Sequence, residues 1–446
     1  MLGMRGLLRE EPVLICKKGM VMLRGLRHII LQCVSLLKIF FVISLICFLP
    51  QVLFFVERRR DGALKERLEQ EFRLGIELLT QEMVQEVTQS PKASVGLLTH
   101  NMPTSSEGGI QVAMLQQKGI TVNKVAYPVK PESSAVSDAL TYMIYDHRID
   151  AWRMPSKEAK EHMYALDASF FNDIDLLLVD VQDSGMTYHA YVQLVMQALR
   201  ASAAAHKPIM VLDRPNLLGN KVEGPVKHDG VSQGVPLRYG MTIGELVQYC
   251  NSCLSDAKAD VHVVAMQQYH RKVPSAASVP VQKGKEYAHS LCALLEHVAP
   301  IDVGAGSEYD RAAILLPSSV QFPERCWYQL QVHLQQMGVS CAQYRYYNKH
   351  KRRFCRGLGL QINDMQTVDS FAVALTVLDF FKKNGVRLSF DPLFDTTLGT
   401  CKVREYLQEK VTREELCRSI NQDLEHFYRK AFGSFLYHPL PQVALL

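Results

Sequence analysis

The strongest constraint on the fold is a strand–helix–strand pattern between residues 176 and 213. "LLLVD" (Leu176 to Asp180) is an apolar run ended by a carboxylate, and "IMVLD" (Ile209 to Asp213) repeats it. Between them, "YVQLVMQALRASAAAHKP" places Val192, Leu194, Val195, Leu199 and Ala203 at helical spacing. Strands with no polar alternation need cover on both faces, and a connecting helix of this length supplies it as a right-handed βαβ crossover in a parallel sheet. "ASVGLLTHN" adds a third strand, Val95 to Thr99. The expected class is α/β, with a doubly wound parallel sheet.

Each of these strands ends in polar residues: Thr99-His100-Asn101, Asp180-Val181-Gln182-Asp183, and Asp213-Arg214-Pro215-Asn216. Asp and Asn are common turn formers and helix caps, which is the plain explanation for any one of them. In an open α/β sheet, however, ligands bind at the carboxyl ends of the strands, so three such ends converge on one crevice. "LLGNKVEGPV" then brings Glu223, and "VPLRYGMTIGELVQYC" (235–250) reads as a strand, a Gly turn and a helix. Thr242 with Glu245 three residues on has capping-box spacing, which explains Glu245 as well as a role in chemistry does. Asp180, Asp183, Asp213, Glu223 and Glu245 together suit glycoside hydrolysis, which uses paired carboxylates around an oxocarbenium-like centre. The residue types alone do not select that over phosphate-ester or metal chemistry.

The N-terminal region has a different character. Residues 1–38 are basic, and "IFFVISLICFLPQVLFFV" (39–56) contains no charge; Glu57 and then Arg58, Arg59 and Arg60 follow it. Eighteen apolar residues suffice for one transmembrane helix. No Ala-x-Ala-like cleavage site follows, so an uncleaved N-terminal anchor is expected, holding the globular part outside the cytoplasm, periplasmic or at the cell surface. Residues 57–91 are expected to form a helical linker, with Leu64, Leu68, Phe72, Ile76 and Leu79 on one face over 61–90.

A net charge of +5, concentrated near the N-terminus, offers no basic face for nucleic acid, which is not expected as a partner. Eleven cysteines are scattered, and Cys250 and Cys253 form the one close pair; zinc would require a second pair or histidines at ligand spacing. No Gly-x-Gly-x-x-Gly follows a strand, so no dinucleotide and no other cofactor is expected. Farther on, 274–286 reads as a Pro/Ser/Gly-rich surface loop. Residues 366–385 read as a helix stopped by Gly385, and 411–431 as another opened by Thr412 with Glu414 and Glu415.

These blocks also carry a resemblance. "DLLLVDVQDSG", "VLDRPNLLGNKVEGPV" and "VPLRYGMTIGEL" resemble, in order, signature blocks of the DUF1343 family, which includes the NamZ-like exo-β-N-acetylmuramidases. "VGLLTHN" upstream, with "FCRGLGLQI", "FDTTLGTCKVREYL" and "FLYHP" downstream, extend the match over roughly residues 73–439. The resemblance implies a Rossmann-like parallel-sheet domain (92–258) and a smaller α/β C-terminal domain (259–446), with a sugar bound between them. It implies a substrate in which terminal N-acetylmuramic acid is removed from peptidoglycan fragments, so a muropeptide is the expected partner. By position, Asn101, Gln182, Asp183, Asp213, Arg214, Asn216, Glu223, Tyr239 and Glu245 fall at the family's polar pocket. Arg214 is expected to pair with the lactyl carboxylate, since a guanidinium fork binds carboxylates at two points.

The chain also departs from the family. The family's Pro-Glu-His-Gly block, whose glutamate is the natural catalytic acid, reads Pro128-Val129-Lys130-Pro131 here. Valine carries no proton, and Glu132, three residues after Val129, would serve only in a rearranged loop. The Arg-Phe-Tyr-Thr-Tyr block reads Thr187 to Tyr191, Gly-Arg-Gly-Thr reads Gly304 to Ser307, and the histidine before Gly-Met-Thr is Tyr239. Two expectations follow. One is a diverged exo-acting glycosidase using Asp183, Glu223, Glu245 or Glu132. The other is a catalytically silent relative that binds muropeptides or a partner protein.

Overall fold

The apolar runs pair side by side as expected. In chain order the first nine strands are β1 (Ser94–Thr99), β2 (Thr121–Val129), β3 (Thr141–Asp146), β4 (Ala151–Arg153), β5 (Leu176–Asp180), β6 (Ile209–Leu212), β7 (Lys221–Lys227), β8 (Val235–Tyr239) and β9 (Val261–Val264). Seven of them make one sheet, in the order β4-β3-β2-β1-β5-β6-β9. The five from β2 to β9 in that order are mutually parallel, and β3 and β4 extend the edge antiparallel. The computed structural model describes residues 72–446 apart from 100–105, 130–140, 147–150, 154–165, 167, 188–189, 229–233, 256, 272–290, 292–293, 305–312, 349–350, 363 and 365. Both candidate residues Asn101 and Glu132 lie outside the described residues, as do the basic segment 1–38, the apolar stretch 39–56 and the loop 274–286. Among the described residues no helix is long and apolar enough to cross a membrane.

Alternation along each strand divides the core in two. Leu177 and Val179 face the Ala190–Ala204 helix, whose Val192, Leu194, Val195 and Leu199 are all buried. Leu176 and Leu178 face the other way, with Val95, Leu97, Met210 and Leu212, and join Val112 and Leu115 of the Ser106–Gln117 helix. Every residue of β5 and β6 is buried, as the absence of polar alternation requires.

The expected continuous helix over 61–90 is not formed in its described part. Phe72, Ile76 and Leu79 are buried as their spacing suggests, yet Arg73 makes an antiparallel bridge to Gln267 and helix spans only Gly75–Leu78 and Gln81–Thr88. One local and one long-range feature break it. Thr80 caps the second helix by accepting the Met83 amide. Gly75 lies so close to the main chain that a Cβ there would sit 2.4 Å from the Asp213 nitrogen. Residues 72–90 are therefore packed into the globular unit, not a free stalk.

The remaining strands are β10 (Val298–Ala299), β11 (Asp302–Gly304), β12 (Ala313–Pro317), β13 (Ser340–Asn348), β14 (Arg353–Gln361), β15 (Ser389–Phe390) and β16 (Gln442–Val443). β11-β12-β14-β13 form an antiparallel sheet backed by the Glu324–Gln336 helix, against which the Ser370–Lys383 helix packs. The expected stop at Gly385 and start at Thr412 both hold, the latter as a full capping box with Glu415. β9 completes the first sheet just past the boundary expected at 258, and β16 returns the C-terminus to β7.

Candidate active site at the carboxyl edge of the parallel sheet

Parallel pairing brings Thr99, Asp180 and Asp213 to one edge: Thr99 is level with Asp180, and Asp213 follows Leu212 at the end of β6. All three are fully buried. β2 runs parallel to β1 and ends at Val129, so the main chain at the position of the family's glutamate belongs to this same edge.

A charge-balanced network joins the strand ends. Thr99 Oγ1 donates to Gln111 Oε1 at 2.6 Å, and Gln111 Nε2 donates to Asp180 Oδ2. Arg214 grips Asp180 at two points, Nε to Oδ1 at 2.6 Å and Nη2 to Oδ2 at 2.8 Å. The guanidinium fork expected to meet a lactyl carboxylate thus already holds a carboxylate of the chain. A ligand could take that same edge of Arg214 only by displacing Asp180.

The loop after β5 is tied to its neighbours through Gln182 and Asp183. Gln182 Nε2 donates to the Asp183 carbonyl at 3.0 Å and the Pro215 carbonyl at 2.8 Å, bridging the two strand-end loops. Asp183 Oδ2 accepts the Gly185 amide at 2.7 Å and the Tyr239 hydroxyl. Burial and the Asp183 charge push the Tyr239 hydroxyl well above its usual pKa, so it is a neutral donor. Where the family has a histidine, this chain has a phenol aimed at Asp183. Gly185 adopts φ 99°, and a Cβ there would lie 2.3 Å from Asn216 Oδ1. Asn216 donates to the Met241 carbonyl at 2.7 Å and accepts the Leu218 amide at 2.9 Å, locking the loop after β6.

Asp213 is a hub. Its Oδ1 accepts the Arg214 and Gly244 amides, both at 2.9 Å, and its Oδ2 accepts the Thr242 and Tyr437 hydroxyls, both at 2.7 Å. Full burial pushes its carboxyl up to about 6 in spite of these donors, which favour the charged form.

Glu223 does not join this group, and Glu245 meets it through Thr242 and Tyr437, which it shares with Asp213; the structure gives each a different task. Glu245 closes the capping box with Thr242, and its other oxygen accepts Arg271 Nη2 and the Leu436 and Tyr437 amides. Both Glu245 and Arg271 are buried, so this pair ties the helix start to the C-terminal segment. Glu223 Oε1 accepts Arg238 Nη1 at 3.0 Å and both the amide and hydroxyl of Ser370, anchoring β7 to β8 and to the start of the Ser370–Lys383 helix. A general acid or base must reach the substrate; all three carboxylates are buried, but Glu223 and Glu245 are held by the interior guanidiniums of Arg238 and Arg271, whereas Asp183 lies in the strand-end loop.

Sequence reasoning missed Gln111, Arg238, Arg271, Ser370 and Tyr437. Arg238 and Tyr437 stand inside the blocks "VPLRYG" and "FLYHP", which were the available signal; Gln111 sits in a helix with none. Among the described residues no cluster of three or more His, Cys, Asp or Glu could hold a metal. Cys250 and Cys253 are both free thiols, and burial raises the Cys250 thiol.

Comparison with known proteins agrees with this architecture. Residues 95–280 match the model of the N-terminal part of the exo-β-N-acetylmuramidase NamZ, and residues 324–437 match that of its C-terminal part. The peptidoglycan β-N-acetylmuramidase NamZ of Bacillus subtilis is 27% identical over 287 residues, covering 59% of this chain and 68% of that protein. Two crystal structures of DUF1343 family proteins from Bacteroides fragilis share the fold. One has a TM-score of 0.62 at 22% identity and the other 0.57 at 17%, each covering 82% of this chain and 99% of its own. With both halves of the model matched in order over more than half of its length, the chain belongs to the NamZ-like DUF1343 family, a family of peptidoglycan glycoside hydrolases.

Proposed function

We propose that the chain takes the terminal N-acetylmuramic acid of peptidoglycan fragments at the carboxyl edge of its parallel sheet. Asp183 is the carboxylate that meets the sugar, and hydrolysis is at least roughly 10²-fold slower than in a relative that keeps the family glutamate. The observation that carries this reading is the division of the carboxylates. Asp180 is neutralised by Arg214, Glu223 and Glu245 are built into the interior, and Asp183 is oriented by Gly185 and Tyr239.

Glycoside hydrolysis needs two carboxyl groups: one protonates the leaving oxygen, and the other stabilises the positive ring or activates water. Asp183, accepting a main-chain amide and a neutral phenol, suits the second task. Val129 cannot perform the first. A globular part working outside the cytoplasm, the expectation raised by the apolar stretch 39–56, fits that substrate class.

The test is titration of the full chain with muropeptides ending in N-acetylmuramic acid, with free N-acetylmuramic acid assayed alongside. Binding that Asp183→Asn weakens at least tenfold, with little or no release, supports the reading. Rapid release would overturn it, and so would an absence of binding.

A further inference from the structure

The hairpin of β13 and β14 is rich in cations, and the site above makes no use of it. From Tyr344 to Arg356 the sequence holds six Lys or Arg and no acid. Arg345 stands directly across from Arg356, and Tyr347 across from Phe354. Like charges placed opposite one another on a sheet repel, and Glu324 relieves only one of them, bonding Arg356 at 2.8 Å. Asp302 serves Lys351 and Arg353 from the other face at 3.2 and 3.3 Å. Among the described residues, Arg345 and Arg352, both exposed, have no ion-pair partner.

Cations on an edge strand are by themselves an ordinary guard against strand-to-strand aggregation. β13 is the edge of its sheet, but β14 is interior, and the most exposed aromatic of the hairpin lies on β14. Phe354 is 66% exposed and Tyr347 43%. Their rings touch at 4.8 Å and are tilted by 58°, so they form a single apolar bump. A nucleic acid surface would instead offer separate flat faces for successive bases. An apolar bump ringed by cations suits an interface that takes aromatic rings at headgroup depth and attracts Lys and Arg by surface potential.

We infer that the β13–β14 hairpin is a peripheral docking surface for an anionic phospholipid membrane, with Phe354 and Tyr347 entering the headgroup layer and Arg345 and Arg352 binding its phosphates. This contact is independent of any segment that crosses a membrane.

The full chain carrying Phe354→Trp, mixed with vesicles of brominated phosphatidylcholine with or without brominated phosphatidylglycerol, tests it. The ring at 354 reports the hairpin alone once the signal of the two native tryptophans is subtracted using the unsubstituted chain. The inference predicts quenching that requires phosphatidylglycerol and fades at high salt. Each cation near an anionic surface contributes about fivefold, so adding Arg345→Gln with Arg352→Gln lowers the docked-to-undocked ratio on the order of thirtyfold. All these positions are exposed, and an unchanged melting midpoint verifies the fold. Absence of quenching, equal quenching by neutral vesicles, or quenching indifferent to the two arginines overturns the inference. A response to single-stranded oligonucleotide without one to vesicles also overturns it and assigns the hairpin to nucleic acid.

Discussion

Arg214 and Asp180 form a two-point ion pair across the ends of adjacent strands, with Asp180 fully buried and the Arg214 side chain 11% exposed. Removing one partner of such a pair leaves an uncompensated charge in the interior. Asp180→Asn is therefore expected to destabilise the fold by about 3–5 kcal/mol, read as a lower urea midpoint. If Arg214 were instead held for a ligand, the same substitution would leave the midpoint unchanged.

Tyr239 is the donor that orients Asp183 from the position of the family's histidine. Tyr239→Phe removes a hydrogen bond to a buried carboxylate, at a cost of about 1.5–3 kcal/mol in stability. Muropeptide affinity should fall with it. Tyr239→His, which restores a donor of the family's kind, should recover more of the affinity than Phe does, as measured by calorimetric titration.

Asp213 supplies a pH signature. Its folded-state carboxyl is raised from the ordinary 3.8 to about 6, so the folded chain holds the proton more tightly than the unfolded chain. The resulting stability is fully present below about 4 and is lost as pH rises through 6; a shift of this size is worth about 3 kcal/mol. Asp213→Asn mimics the protonated form. Between pH 4 and 7 the unfolding free energy of the native chain should fall relative to that of Asp213→Asn by up to that amount, and parallel profiles would contradict the assignment.

Glu245→Gln separates an interior role from a chemical one. The substitution strands the buried Arg271 guanidinium and weakens the capping box, for an expected loss of about 3–5 kcal/mol. Were Glu245 catalytic, turnover would vanish while the urea midpoint stayed in place.

What was legible in the sequence follows from how local the cause is. β5 and β6 are apolar on both faces, and their ends coincide with the polar residues that stop them, so strand, helix and carboxyl edge could all be read directly. The Thr242–Glu245 capping box spans three residues and was equally plain, as was the helix start at Thr412 with its acidic first turn. The partners that decide the roles of the carboxylates lie far away in the chain. Tyr437 reaches Asp213 from 224 residues on, Ser370 reaches Glu223 from 147, and Arg271 reaches Glu245 from 26. Arg238 is near in sequence, but its alignment with Glu223 depends on a register that shifts between Glu223 and Val226. Composition therefore gathered five carboxylates into one site, whereas long-range pairing sorts them into Asp183 at the edge, two hubs beside it and two interior anchors. The break in the 61–90 helix has the same origin, since Gly75 is fixed by the backbones at Asp213 and Val264.

The central claim is that the sugar-binding edge persists while the proton donor at the end of β2 has been lost. The most direct measurement restores that donor by Val129→Glu, Lys130→His and Pro131→Gly in the full chain and follows release of free N-acetylmuramic acid from muropeptides. The account predicts a gain of roughly 10²–10⁴-fold over the native chain, abolished by adding Asp183→Asn. A folded, ligand-binding variant that releases no more sugar than the native chain would contradict it.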